Sequence, residues 1–366
     1  MPFFFVFMIK AILGYFCSLM NGVRIGNIEL PAFPLLLAPM EDVSDPPFRS
    51  ICKENGADLL FTEFISSKGL VHDAVKCRKR LDIFDAERPV GIQIFGGDED
   101  SLAQAAMIVE ATRPDLLDIN FGCPVKGIVS NGAGASVLRD VALMVRLTEA
   151  CVKATRLPVT VKTRLGWDDD SKNIGEVAER LQDIGIAALS IHGRTRCQLY
   201  KGAADWTLIG KVKNNPRIHI PIFGNGDIDS AEKALAYKDR YGVDGVMIGR
   251  AAIGYPWIFR EVRHFADTGK LPAPPTVEER VGVCRQHLRN SIRWKGGVPG
   301  LLSMRGRYAG YLKGLPGIGE FQKKLVVLKK PEEVEAMLDL IREAYSGYEP
   351  ERSPIRLVNY HENCAL

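Results

Sequence analysis

Eight short apolar runs recur between residues 35 and 250, each closing on polar or glycine residues and most followed by an amphipathic stretch. They are LLLAPM (35–40), ADLLFTE (57–63), VGIQIFG (90–96), LLDINFG (116–122), PVTVKTR (158–164), AALSIHG (187–193), IPIFGNG (220–226) and DGVMIGR (244–250). The intervening stretches, such as DSLAQAAMIVEAT and NIGEVAERLQDIG, place apolar residues at i, i+3/i+4 and stop at glycine or proline, the pattern of helices that bury one face. Eight strand-then-helix units in about 230 residues fit a (β/α)8 barrel, which takes about 250. A doubly wound open sheet is the alternative, and the even repetition favours closure. The expected fold class is α/β, a (β/α)8 TIM barrel followed by a smaller all-helical C-terminal domain.

The polar residues gather at the C-terminal ends of the runs: Met40 and Glu41, Glu63, Gln93, Asn120, Lys162 with Arg164, His192 with Arg194, Asn225-Gly226-Asp227, and Gly249-Arg250. In a barrel these ends form the face on which active sites are built, so eight separate points of the chain converge on one mouth. Each residue alone fits a cap or a turn equally well; their repetition at every run points to a site.

The chain has 366 residues, 46% of them apolar and 25% charged, which suffices for a large core and excludes disorder, collagen or coiled coil as the main architecture. Residues 1–22 are apolar with Lys10 as the sole charge, yet lack the basic n-region of a secretory signal and are interrupted by Lys10, Gly14 and Ser18 as a membrane span would not be. They read best as an extension upstream of a true start at Met20. The expected divisions are this extension (1–22), a catalytic barrel (23–262), a helical domain (263–350) and a tail (351–366), with a Pro-rich linker at 267–276. Eight scattered cysteines without a C-x-x-C pair, and six histidines without an H-x-x-x-H pair, point to a reducing, cytoplasmic setting and no metal site. No membrane contact and a monomeric chain are expected.

The net charge of +4 hides a segregation. Residues 281–330 carry eleven Lys/Arg against the single acid Glu320, so the rest of the chain sums to −6. A basic helical face is commonly just solvated, but Trp294, Tyr308 and Tyr311 interleaved with the cations resemble a surface for a phosphate backbone.

The chemistry concentrates in Asn120-Phe-Gly-Cys-Pro124. A cysteine on a tight loop at a barrel mouth can serve as nucleophile or proton donor; otherwise it is a buried structural thiol. Asn120 suits a substrate amide edge. Backbone N–H groups of Gly226, Asp227, Gly249 and Arg250, with the Arg250 side chain, suit a phosphate at the place where barrels commonly hold one. Lys162 points a cation at the negative locus of a bound ring, or else forms a buried ion pair. Gln93 offers an amide suited to the pyrimidine edge of a flavin.

The successive motifs APM-x-x-V-x-D-x-P-F-R (38–49), Q-I-F-G (93–96), N-x-G-C-P (120–124), V-K-T-R-x-G (161–166), I-H-G-R-T (191–195), G-N-G-D-I (224–228) and M-I-G-R (247–250) resemble, in order, those of the dihydrouridine synthases. Residues 303–317 also resemble that family's C-terminal tRNA-binding helices, usually written around R-K-H-x-x-x-Y; Arg305 and Tyr308 to Tyr311 match loosely and the histidine is missing. The resemblance implies an FMN enzyme that reduces specific uridines in tRNA at the expense of NADPH or NADH. It implies FMN contacts from Pro39, Met40, Glu41, Gln93, Lys162, His192, Asn225, Gly226, Asp227, Gly249 and Arg250, with Cys123 as the catalytic acid. Substrate contacts are expected from Asn120, Arg164, Arg194, Arg305 and Arg307. Glu41, followed by Asp42, departs from the small residue common at that position.

The expected reaction saturates the C5=C6 bond of uracil, with hydride from reduced FMN to C6 and a proton from Cys123 to C5. A thiol of ordinary pKa, about 8.5, is mostly protonated at neutral pH, as an acid requires. A stacked uracil must be flipped out to reach a barrel floor. The competing readings are a flavin barrel acting on free pyrimidines, of dihydroorotate or dihydropyrimidine type, and a non-catalytic RNA-binding barrel.

Overall fold

The computed structural model describes residues 22–352 and 355. The leader reading, Gly22 apart, and nearly all of the tail fall outside these residues.

A hairpin of β1 (Val23–Ile25) and β2 (Ile28–Leu30) precedes the barrel strands β3 (Leu35–Leu37), β4 (Leu60–Phe61), β5 (Ile65–Ser66), β6 (Val90–Phe95), β7 (Leu116–Asn120), β8 (Val159–Arg164), β9 (Ala188–His192), β10 (Ile222–Asn225) and β11 (Gly245–Ile248). All eight apolar runs are strands, paired in parallel in the order β3-β11-β10-β9-β8-β7-β6-β4, with β5 a short addition beside β6. The barrel closes between its first two runs: Leu36 bridges Leu59, the Leu37 N–H donates to the Leu59 carbonyl at 2.9 Å, and the Asp58 N–H to that of Leu35 at 2.8 Å. The expected TIM barrel is therefore the observed one.

The outward face of the strands is apolar because it is buried beneath the helices. Outward residues such as Ile92, Leu117, Val161, Ile191 and Ile248 form the main core with the surrounding helices. Inward residues divide by height. At the lower level Leu36, Leu59, Phe61, Leu116, Ala188, Phe223 and Met247 pack against Val23, Ile25 and Leu30 of the hairpin, which plugs the N-terminal end. Its turn passes so close to Pro158 that a Cβ on Gly26, itself at φ +57°, would stand 2.6 Å from the proline ring. At the upper level the inward residues are polar: Gln93, Asp118 and Asn120, Thr160 and Lys162, Ser190 and His192, and Asn225. The register brings Asn120 beside Lys162, Arg164 beside His192, and His192 beside Asn225.

Side-chain caps start the barrel helices where the sequence offers Asp or Ser: Asp98 before Glu99–Ala111, Asp140 before Val141–Ala154, and Ser230 before Ala231–Tyr241. Helix Ile258–Thr268 still packs on the barrel core through Ile258, Phe259 and Val262. After the Pro-rich segment a capping box at Thr276 opens Val277–Lys295, followed by the shorter helices Gly297–Ser303, Arg305–Tyr311 and Gly319–Leu325 and by Pro331–Ala344. These helices have their own core, built on Cys284, Leu288, Met304, Tyr308, Tyr311 and Leu338. They dock on the barrel through stacking of His287 on Phe48, an ion pair of Lys295 with Asp45 at 2.6 Å, and a bond from Trp294 Nε1 to Asp82 at 2.8 Å.

The basic segment is partly neutralised at long range. Arg285 pairs with Asp339 at 2.6 Å and Arg289 with Glu335 at 2.6 Å, both acids lying on the last helix. Tyr308 and Tyr311 are 1% exposed and belong to the core. Arg293, Lys324 and Lys329 are exposed and form no ion pair among the described residues.

Candidate active site

A cleft of about 800 Å³, its open mouth included, sits at the C-terminal ends of the strands. Of the expected residues, Pro39, Met40, Asn120, Cys123, Lys162, Arg164, His192, Asn225, Gly226, Asp227, Gly249 and Arg250 line it. Phe64 and Tyr200 join them; the sequence signal for Tyr200, a lone aromatic in the polar loop after β9, was there to be read.

Cys123 is 7% exposed. Its loop is held from below by Asn120, whose Oδ1 accepts the N–H groups of Gly122 at 2.9 Å and Cys123 at 2.8 Å. Arg164 ties the same loop to its neighbour: Nε donates to the Gly122 carbonyl at 2.7 Å, and Nη1 to the carbonyls of Thr195 and Leu199 at 3.0 Å. Burial pushes the Cys123 thiol up to about 11, so it carries its proton throughout the neutral range.

Lys162 has no hydrogen-bonding or ion-pair partner among the described residues, and burial, followed by the Arg164 charge, lowers it to about 8. Burial, then Arg164, Lys162 and Arg194, hold His192 well below its ordinary value, so the ring is neutral. Arg194 Nη1 stands 3.3 Å from His192 Nε2. A guanidinium only donates, so Nε2 accepts and the ring proton sits on Nδ1.

On the opposite wall, Asn225 Nδ2 donates to the Met247 carbonyl at 2.7 Å, turning its carbonyl end free of that bond. Gly226, at φ +122°, has no room for a side chain: a Cβ would lie 2.7 Å from Ala204 Cβ and 3.0 Å from the His192 ring. Asp227 accepts from Arg194, from Arg250 at 2.9 Å and from the Ala204 N–H at 2.8 Å. The Arg250 guanidinium lies 4.8 Å from the Tyr200 ring centre.

Five expected residues stand outside the cleft. Gln93 is fully buried beneath it, its Nε2 donating to Asp118 at 2.5 Å and its Oε1 accepting from Asn120 at 2.8 Å. Arg194 is 2% exposed behind Asp227. Glu41 and Arg307 line a second cavity of about 1330 Å³, its open mouth included, that shares Met40, Tyr200 and Arg250 with the cleft and is walled on its far side by Pro299, Leu302 and Ser303 of the helical region. There Glu41 stands 3.5 Å from Arg80, and Arg307 donates to the Asp42 carbonyl at 2.6 Å. Arg305 lines neither space.

The donor set fits a phosphorylated flavin. An unpartnered ammonium, a guanidinium held at the mouth and a glycine wall that admits backbone approach meet an anionic, acceptor-rich ring and phosphate. Among the described residues no cluster of His, Cys, Asp and Glu could hold a metal, and no helix is long and apolar enough to cross a membrane.

A closed (β/α)8 barrel with a protonated thiol and a cationic cleft at its C-terminal mouth defines a barrel enzyme. The dihydrouridine synthase family model matches residues 36–346. A tRNA-dihydrouridine synthase B of Pseudomonas aeruginosa is 42% identical over 83% of this chain and 90% of its own length. A probable tRNA-dihydrouridine synthase 1 of Synechocystis is 38% identical over 87% and 88%. The chain belongs to the dihydrouridine synthase family and is an oxidoreductase. Among solved structures, a morphinone reductase variant in complex with tetrahydroNAD gives a TM-score of 0.51 at 13% identity, covering 72% of this chain and 93% of that one. A 2-naphthoyl-CoA reductase also gives 0.51 at 13% identity, covering 68% and 52%. These two likenesses concern the fold alone.

Proposed function

We propose that this protein reduces the C5=C6 bond of specific uridines in tRNA to 5,6-dihydrouridine in the cytoplasm, as a monomer, with FMN as cofactor and NADPH or NADH as reductant. The observation that carries the reading is a protonated, loop-locked Cys123 and a Lys162 unpartnered among the described residues, both lining one cleft. FMN, when bound and reduced, supplies the hydride that reaches C6 of uracil.

The chain's own residues supply the rest. Pro39, Met40 and the Gly226 and Gly249 backbone shape the seat of the cofactor, Arg250 holds its phosphate, and Lys162 faces the negative end of its ring. Cys123 Sγ holds the proton that C5 requires, and its high pKa keeps that proton in place until carbanion character develops at C5. Asn120, its Oδ1 already engaged, keeps one amide N–H for a uracil carbonyl, and Arg164 and the His192 ring polarise the same edge. The second cavity, between barrel and helices, is the approach for the flipped nucleotide, with the helical domain on the phosphate backbone.

Cys123→Ala tests the role of the acid. It should retain FMN and be reduced by NADPH at the wild-type rate, while reoxidation by unmodified tRNA slows by ~10²–10⁴-fold. Full reoxidation in this variant refutes the assignment. Comparing free uracil with tRNA in the wild-type protein separates this reading from a dehydrogenase of free pyrimidines.

A further inference from the structure

Asp118 is the single acid of β7, 1% exposed and one turn of the pleat below Asn120. It belongs to neither lining described above. Its two oxygens are fully used: Oδ1 accepts the Thr160 hydroxyl at 2.5 Å and Oδ2 the Gln93 amide N–H at 2.5 Å. Gln93 Oε1 accepts from Asn120 Nδ2 at 2.8 Å, and Asn120 Oδ1 accepts the N–H groups of Gly122 and Cys123.

Each link in this sequence has one allowed direction. A carboxylate only accepts, so Gln93 must turn its NH₂ toward Asp118 and its carbonyl toward Asn120. Asn120 must then turn its own NH₂ toward Gln93, which leaves Oδ1 toward the cysteine loop. An amide rotated by half a turn at either residue would set donor against donor, or carbonyl against carbonyl, in a buried space. The acceptor at the bottom of the barrel mouth, together with the two loop N–H groups, therefore holds Oδ1 of Asn120 toward the Cys123 loop.

We propose that Asp118 is a positioning residue for the reaction, which sets the orientation of the Asn120 amide through Gln93 and so fixes the Cys123 thiol over the substrate. The inference rests on the proposed role of Cys123 as the acid. It also gives Gln93 a function that a residue buried beneath the cleft can perform. Burial raises Asp118 to about 6, against the bonds from Thr160 and Gln93, so the relay is charged at pH 7 and above.

The test compares Asp118→Ala with Asp118→Asn in the full-length flavoprotein at pH 7.5. Asparagine can still present a carbonyl to Gln93, its NH₂ then turning to the Thr160 oxygen; alanine can present nothing. Cys123 alkylation by iodoacetamide, read on the Cys123 peptide by mass spectrometry, is expected to change by about tenfold in Asp118→Ala, the scale of a lost buried hydrogen-bond constraint. Reoxidation of the reduced enzyme by tRNA should fall by about 100-fold, as for a reacting group displaced by about 1 Å. Both readouts should stay within about threefold of wild type in Asp118→Asn. Unchanged alkylation in Asp118→Ala, or an equal loss in Asp118→Asn, overturns the proposal. If Asp118→Ala does not fold, Gln93→Met breaks the same relay and must give the same alkylation change. The alkylation readout is independent of tRNA reduction, so a wild-type protein inactive on tRNA would count against the proposed function while the relay is still tested by the thiol.

Discussion

Arg194 grips Asp227 end-on: Nη2 lies 2.6 Å from Oδ2 and Nη1 2.9 Å from Oδ1. The same carboxylate holds Arg250 at 2.9 Å. The expected substrate contact Arg194 is thus the back half of a clamp whose front half faces the cleft.

Removing the back of the clamp should loosen the front. Burial alone would raise Asp227, but Arg194, the Ala204 N–H and Arg250 more than offset it and hold the carboxyl below its usual range. Arg194→Leu leaves Asp227 and Arg250 to each other, and FMN affinity should drop by about tenfold or more, the scale of one charge-assisted bond. Equilibrium titration of the apoprotein with FMN measures it, and an unchanged affinity would show that Arg250 needs no support.

Lys162 gives the site a pH dependence with a definite sign. Its value near 8 means that the ammonium is present below that pH and lost above it. FMN affinity of the apoprotein should fall as pH rises through about 8, and Lys162→Met should bind more weakly with that step removed. A step of the same size in Lys162→Met would locate the titration elsewhere.

Arg49 and Glu87 form an ion pair at 2.9 Å with both side chains 1% exposed, between the helix after β3 and the segment before β6. Arg49→Met strands a buried carboxylate and should cost ~3–5 kcal/mol in urea unfolding, whereas the double variant with Glu87→Leu should recover much of that loss. Equal stability of the single and double variants would contradict this account.

Arg293, Lys324 and Lys329 are the exposed cations of the basic segment that form no ion pair among the described residues. Changing Lys324 and Lys329 together to Gln should weaken tRNA binding and reduce its salt slope by about 1 for each lost phosphate contact. FMN content should stay at the wild-type level. Arg285→Gln should instead lower stability, since its partner is Asp339 within the helical domain.

The barrel was legible because its signal is local: each apolar run plus its polar end lies within seven residues. The cleft was legible for the same reason, since strand ends are sequence neighbours of the residues that point into it. Gln93, expected at a strand end, lies two residues inside β6, and its depth depends on the stagger between β6 and β7, which pairs it with Asp118. Asp118 itself stood in plain view as a lone acid in LLDIN, but its partners come from two other strands. The basic segment was overread for an equally physical reason: the acids answering Arg285 and Arg289 lie about fifty residues onward and meet them only across a helix pair. The aromatic residues interleaved there, Tyr308 and Tyr311, proved to be core.

The β1–β2 hairpin stoppers the lower end of the barrel. Whatever reaches the cleft must therefore arrive and depart on the side of the strand C-termini. On the proposed reaction, reductant and uridine therefore take turns at one threshold. On that reading the spent nicotinamide vacates before the base is admitted, and each partner in excess acts as an obstacle to the other.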